Sequence, residues 1–385
     1  MQLRGNWHYP TTVRFGAGRI AELPEALRLA GIKKPLFVTD PMLAKMPMTV
    51  QALELLASAG VPAKLFSDVQ PNPVEANIKA GIRAYKAGGH DGVIAFGGGS
   101  ALDAGKLIAF MKGQTRPVFD FEDVGDWWTR ANATAMAPVI AVPTTAGTGS
   151  EVGRAAVVTN EATHTKKIIF HPGMLPKVTI CDPELTVGMP PIITAGTGMD
   201  AFSHALEAYC VPSYHALGDG IAVEGVRLVK ENLAAAVKDG SNIEARAHMM
   251  AAAAAGATAF QKGLGAIHAL SHPVGALHNT HHGLTNAVFV PYVLAFNRPA
   301  IEDKIARLAA YIGLKPTFTA FFDWVLQLRE EIHIPHTLAG LKVGAENADL
   351  IAKMAPDDPT AGGNPVPLDA AAARRIFDAA LEGKL

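Results

Sequence analysis

Cysteine is almost missing from this chain: Cys181 and Cys210 are the only two in 385 residues. Two thiols cannot staple a chain this long, so a disulfide scaffold is excluded and a reduced, cytoplasmic setting is expected. An excess of charge is missing as well. Lysine plus arginine number 34 and aspartate plus glutamate 35, which leaves no electrostatic pull toward a nucleic-acid backbone or an anionic membrane. No apolar run reaches membrane length. The longest, Met249 to Phe260, is too short to cross a bilayer and reads as a tightly packed internal helix. The stretch Met1 to His8 has none of the apolar core of a signal peptide. With 18% charged and 49% apolar residues, a compact globular enzyme with a large core is what remains.

Single cores stop growing near roughly 250–300 residues, so two domains are expected. The first 185 residues alternate strand and helix signals. Short apolar runs at Pro35–Asp40, Ala63–Phe66, Val93–Phe96 and Pro138–Val142 are separated by helical periodicity at Gln51–Ala59 and Glu75–Ala87. That order implies βαβ units and a mainly parallel sheet. After Pro191 the texture changes to alanine-rich helical segments: 195–209, 217–237, 243–260, 301–312 and 317–328. The proline-rich stretch Asp182–Pro191 suits a linker. The expected architecture is an α/β domain over 1–185 and an all-helical domain over 186–385, with a cleft between them.

Two loops carry the first chemical signal. Gly97-Gly-Gly-Ser100 lies where a buried strand runs into a helix, so backbone N–H groups and the helix N-terminus can meet a pyrophosphate. Pro143-Thr-Thr-Ala-Gly-Thr-Gly-Ser150 follows the next strand in the same way. Ligands of open α/β sheets bind at such carboxyl ends, and two small, hydroxyl-bearing loops there point to a dinucleotide. Asp40 also ends a strand, where its carboxylate either accepts ribose hydroxyls or caps a turn.

The second signal is a set of metal-ligand side chains. Asp200 and His204 are four apart and share one helix face, and His268 and His272 repeat the interval. His278, His281 and His282 follow closely. Carboxylate oxygen with imidazole nitrogen, and no thiolate, suits iron(II), zinc or a similar divalent ion. A dinucleotide plus a divalent metal indicates a dehydrogenase.

At four motifs the chain resembles the iron-containing alcohol dehydrogenases over nearly its whole length. They are Gly97–Lys106, Pro143–Glu151, Gly198–His204, and His268–Gly275 continuing to His282–Ala287. The resemblance implies a nicotinamide-binding α/β domain, a helical metal domain and a homodimer. It places the metal on Asp200, His204, His268 and His282, and makes His272 the catalytic candidate, a proton relay beside substrate and nicotinamide. NAD contacts carry over to Asp40, Asn72, Gly98, Gly99, Ser100, Thr144, Thr145, Lys166 and Leu185, while Asp103 comes with the glycine-loop motif. Family members often have proline just before the last ligand and an aromatic residue a few places earlier. This chain has His281 and His278 there, two candidate pocket residues that set its substrate preference apart from that of better-known members, and His281 is an alternative ligand.

Phe260-Gln-Lys-Gly-Leu-Gly265 looks more like the 4-hydroxybutyrate dehydrogenase branch than the ethanol or lactaldehyde branches. Lys262 and Arg154 then become either receivers of a substrate carboxylate or a surface lysine and a structural arginine. The activity implied is hydride transfer between nicotinamide and a small primary alcohol or aldehyde, or a 4-hydroxy acid. The rivals are a maleylacetate reductase-like enzyme, a dehydroquinate synthase-like relative and a non-catalytic, metal-dependent assembly protein.

Overall fold

The computed structural model describes residues 5–7, 11–163 and 165–385; the amino-terminal stretch read above for a leader lies mostly outside them. The chain divides into two compact units, Met1–Thr145 with Gly149–Val187, and Ala146–Thr148 with Gly188–Leu385.

Among its described residues the first unit contains nine strands and four longer helices. In chain order they are β1 (Gly5–Trp7), β2 (Thr12–Phe15), α1 (Leu23–Leu29), β3 (Pro35–Val38), α2 (Pro47–Ser58), β4 (Lys64–Phe66), α3 (Glu75–Gly88), β5 (Gly92–Gly97), α4 (Gly99–Met111), β6 (Val139–Pro143), β7 (Ala155–Asn160), β8 (Thr165–Phe170) and β9 (Val178–Cys181). Seven strands form one sheet in the order β1-β2-β9-β6-β5-β3-β4. All neighbours pair parallel except β1, which runs antiparallel along β2.

Strands β3, β5, β6 and β9 are buried along their whole length, which is why they read as continuous apolar runs. Alternate side chains feed two cores. Leu36, Val38, Val93, Ala95, Val139 and Ala141 pack with Ile78 of α3 and Leu102 and Leu107 of α4. Phe37, Ile94, Phe96, Ile140 and Val142 pack on the opposite face with Leu23 and Leu27 of α1 and Leu56 of α2. The unit is thus a helix–sheet–helix sandwich, as the alternation of signals implies. The hairpin of β7 and β8 has no counterpart among the strand signals above, since its half-buried strands carry only short apolar stretches, Ala155–Val158 and Ile168–Phe170, beside polar residues.

The second unit has no strand among its described residues. It comprises α5 (Pro191–Cys210), α6 (Ala216–Lys238), α7 (Ile243–Ala259), α8 (Ala266–His278), α9 (His282–Tyr311), α10 (Phe318–Glu331), α11 (Ala348–Met354) and α12 (Ala370–Glu382). Helix α5 is buried from Thr194 to Cys210, so it forms the axis of the unit. The sequence showed only 301–312 of α9, because Pro291 and Pro299 interrupt the periodicity of what is one 30-residue helix. Among the described residues no helix is long and apolar enough to cross a membrane.

Candidate active site

In the α/β unit the chain passes from β3 out to β4 and then returns to β5 on the other side of β3. The gap between β3 and β5 is therefore a topological switch point, where open α/β sheets bind ligands at the carboxyl ends of their strands. Several of the residues singled out in the sequence gather at these ends. Gly97 closes β5 with φ 142°, a conformation that favours glycine. Its carbonyl accepts the N–H of Thr144 at 3.0 Å, joining the two loops. A Cβ on Gly98 would lie 3.3 Å from Thr145 Cγ2. Gly98 and Gly99 open α4, so the N–H groups of its first turn are free of helical partners and suited to an anion. The N–H of Asn72, itself at φ 53°, lies 3.4 Å from Ser100 Oγ.

Asp40 lies two residues past the end of β3, and its Oδ1 accepts the N–H groups of Met42 and Leu43, each at 2.9 Å. It is therefore a turn cap, whatever else its second oxygen does. Asp103 is used by the protein itself: Oδ1 accepts Ser150 Oγ at 2.5 Å and Oδ2 accepts the N–H of Val157 at 2.9 Å. Beside it the buried Lys106 donates to the carbonyls of Ser150 and Ala155. Asp103 and Lys106 thus tie α4 to the segment after the second loop. Leu185 is buried in the core with Phe96 and Val142, and Lys166 sits on β8 opposite Thr159.

The helical unit brings its ligand candidates together with side chains. Asp200 and His204 stand one turn apart on α5, His268 comes from α8 and His282 from the first turn of α9. Helix α9 can start so close because Gly283 meets Gly196 of α5; a Cβ there would fall 2.1 Å from the Gly196 carbonyl oxygen. Asp200 Oδ1 lies 3.8 Å from His204 Nε2, 3.7 Å from His268 Nε2 and 3.5 Å from His282 Nε2. These separations are too long for hydrogen bonds. They match donors that share an ion, since two ligands roughly 2.1 Å from one centre sit about 3–4 Å apart. The ligand atoms of Asp200, His204 and His268 all lie within 4.8 Å of one another and are buried; His282 falls outside that mutual set and is more exposed.

The electrostatics fit the same reading. Among the described residues no lysine or arginine pairs with Asp200. Burial works to raise its pKa, but the imidazoles of His204, His282 and His268 outweigh it and hold the carboxyl below the usual range. Burial pushes His204 down to about 4. His268 is held up at about 9, because Glu207 and Asp200 outweigh its burial.

Three residues outside the expected set complete the arrangement. Glu207, one turn beyond His204, accepts from His268 Nδ1 at 2.5 Å and from the N–H of Ile267 at 2.6 Å. This fixes the His268 proton on Nδ1 and leaves Nε2 facing Asp200. Asn286 donates to Asp200 Oδ1 at 2.8 Å from the same face of α9 as His282. Asp358 lies 2.8 Å from His272 Nδ1, while the His272 ring stacks on His282 at 5.4 Å between centroids. Glu207 and Asn286 were findable, since each continues the i,i+3 or i,i+4 face of a ligand already named. Asp358 lies 86 residues from His272 and gives no such signal.

The remaining histidines have other work. His281 caps α9, with Nδ1 3.4 Å from the N–H of Leu284, and packs against Gly196. His278 lies 3.4 Å from Asn347 Nδ2. Lys262 is neither a surface lysine nor free for a substrate carboxylate: its side chain is fully buried and pairs with Asp219 at 2.5 Å. Arg154 is exposed, with its guanidinium 5.5 Å from the Phe170 ring.

Comparisons with known proteins converge. Residues 10–183 match the family described as iron-containing alcohol dehydrogenase, and residues 194–381 match the C-terminal domain of the Fe-containing alcohol dehydrogenase family. The 4-hydroxybutyrate dehydrogenase of Cupriavidus necator is 35% identical over 381 residues, covering 96% of this chain and 98% of that protein. A crystal structure of 1,3-propanediol oxidoreductase superposes with a TM-score of 0.91 at 34% identity, covering 96% of this chain and 97% of that one. Sulfoacetaldehyde reductase from Bifidobacterium kashiwanohense, solved in complex with NAD+, superposes with a TM-score of 0.87 at 29% identity, covering 98% of each chain.

Proposed function

The chain belongs to the iron-containing alcohol dehydrogenase family, and from that membership we propose that it is an NAD(H)-linked, metal-dependent enzyme interconverting small primary alcohols, 4-hydroxy acids among them, with their aldehydes. The observation that carries this reading is the buried Asp200, His204 and His268 cluster with His282 Nε2 in reach of the same carboxylate oxygen. One carboxylate and three imidazoles around an otherwise uncompensated negative charge fit a divalent first-row ion. Iron(II) is the ion proposed, with zinc its competitor.

When bound, such an ion supplies Lewis acidity toward an alcohol or aldehyde oxygen, and NAD supplies the hydride acceptor. The other tasks fall to the chain's own residues. Gly98, Gly99 and the N-terminus of α4 are assigned to the pyrophosphate, with Asn72, Ser100, Thr144 and Thr145 flanking it. Asp40 is assigned to ribose hydroxyls, Leu185 and Lys166 to the remaining wall, and Asp103 to holding the loop that ends in Ser150. Glu207 and Asn286 orient His268 and Asp200. His272 carries the hydroxyl proton to solvent as the carbon-bound hydrogen leaves. A cytoplasmic homodimer is the working unit proposed; both cysteines are free and buried, in keeping with a reducing compartment. Sedimentation at assay concentration that gives only monomer mass would contradict the dimer.

The experiment is an aldehyde panel, with and without a terminal carboxylate, followed by NADH loss on iron(II)- and zinc-reconstituted protein. Turnover with at least one small aldehyde, higher with iron(II), is expected. No NADH oxidation across the panel with either metal would overturn the reading and favour an assembly protein.

A further inference from the structure

Helix α8 presents two histidines one turn apart, His268 and His272, and each hands its Nδ1 to a carboxylate from elsewhere in the helical unit. Glu207 serves His268, whose Nε2 faces Asp200. The partner of His272 is Asp358, which follows the short helical turn Ala355–Asp357. Its carboxylate is fixed from both sides. Oδ2 lies 2.8 Å from His272 Nδ1, and Oδ1 accepts the N–H of Thr360 at 2.9 Å and its Oγ1 at 2.6 Å. The side chains of His272 and Asp358 are 13% and 8% exposed, so little water competes for this bond.

We propose that Asp358 is the positioning residue for proton transfer, holding His272 as the Nδ1–H tautomer so that Nε2 alone exchanges the proton of the alcohol. The inference rests on the reading of His272 as the proton relay. In alcohol oxidation the hydroxyl proton passes to Nε2 while the carbon-bound hydrogen leaves with its electron pair for NAD+; the imidazolium then releases its proton to solvent. In aldehyde reduction the same nitrogen gives the proton back. An ionised carboxylate on Nδ1 stabilises the imidazolium formed between these events and keeps the ring from turning. Burial acts to protonate Asp358, but the His272 imidazole and the Thr360 donors hold its carboxyl below the usual range, so it remains an acceptor.

The geometry makes Asp358→Asn informative. The Thr360 N–H needs an acceptor, so the new amide must turn its oxygen to Thr360 and its NH2 to His272. Nδ1 must then accept, and the ring proton moves to Nε2, the wrong tautomer for taking a proton.

The test is a double-mutant cycle of Asp358→Asn and His272→Ala, assayed with NADH and the best aldehyde of the panel, with metal content, NADH affinity and melting temperature measured on every variant. Asp358→Asn should lower kcat by roughly 10²–10⁴-fold, the range of general acid–base contributions, with KM and metal content little changed. Asp358→Glu should recover part of the loss, and Asp358→Asn should add nothing in the His272→Ala background. If His272→Ala is impaired while Asp358→Asn is as active as the parent, the inference fails and the relay reading stands. If His272→Ala is itself fully active, the relay reading fails and takes the inference with it. A loss of equal size in both backgrounds would make Asp358 merely structural and overturn the proposal. Should Asp358→Asn not fold, Thr360→Val probes the same dyad: a smaller kcat loss, absent in the His272→Ala background, is expected, and an unchanged kcat would overturn the proposal.

Discussion

At the strand ends of the α/β unit the groups on offer are largely backbone: N–H groups of the first turn of α4, a carbonyl of Gly97 that ties the two loops, and small hydroxyls of Ser100, Thr144 and Thr145. In the helical unit they are side chains, and most have a partner of their own. Asp200 has Asn286, His268 has Glu207 and His272 has Asp358. The difference fits what each set is proposed to bind. A pyrophosphate is large and diffuse in charge, so a helix terminus and glycines that allow close approach suffice. A metal ion demands a few donors at fixed distance and direction, and each donor must be held in one tautomer and rotamer. The dinucleotide loops should therefore tolerate side-chain loss better than the metal cluster.

The sharpest way to break that contrast is His268→Ala. It removes a donor that only the helical unit supplies, so bound metal and turnover should fall to background while NADH affinity, read by fluorescence, is retained. Loss of NADH binding together with the metal would show that the two sites are not separable in this way. Glu207→Gln comes next. The His268 donors stay in place but the charged acceptor behind Nδ1 is gone, and metal affinity should weaken by roughly 10–100-fold in competition with a chelator. Unchanged affinity would remove Glu207 from the metal's support.

In the α/β unit, Asp40→Gly should narrow the preference for NAD over NADP by about one to two decades in kcat/KM, each decade being about 1.4 kcal/mol. A like charge facing the 2′-phosphate is removed, and the cap on Met42 and Leu43 is lost with it. A lost cap of this kind replaced by glycine costs only a few tenths of a kcal/mol, so the cofactor ratio should move far more than the melting temperature. The reverse would make Asp40 a cap and nothing more.

The smallest effect concerns stability alone. Glu151 is buried and its carboxyl is pushed up to about 7 from 4.5, chiefly by burial. The folded state therefore binds more protons than the unfolded one between those values, and this residue lowers stability as pH rises from about 4.5 to about 7. Glu151→Gln should flatten that fall in urea-unfolding free energy while metal binding stays unchanged. An undiminished slope would assign the pH dependence elsewhere.

The parts legible in the sequence were those whose signal is local. Fully buried strands read as apolar runs, and Asp200/His204 and His268/His272 read as one-turn pairs. Topology supplied what spacing could not: Asp40 and the glycine loop lie at the carboxyl ends of the adjacent strands β3 and β5, which flank a switch point. Two kinds of feature were not legible. The first half of α9 was hidden by its internal prolines, which its buried packing overrides. The carboxylate behind His272, Asp358, depends on a contact across 86 residues of chain. Lys262 fits neither of its two sequence readings, a carboxylate receiver or a surface lysine, because its side chain is buried and its charge is met by Asp219.

The central claim is that side chains of the helical unit hold a metal on which turnover depends while the α/β unit binds the dinucleotide without it. It is tested most directly by stripping metal from the intact protein with a chelator, verifying its absence by elemental analysis, and measuring NADH binding and NADH-dependent aldehyde reduction on the same sample. The account predicts that NADH binding persists, that turnover disappears, and that iron(II) restores it. Full turnover in the verified metal-free protein would contradict it.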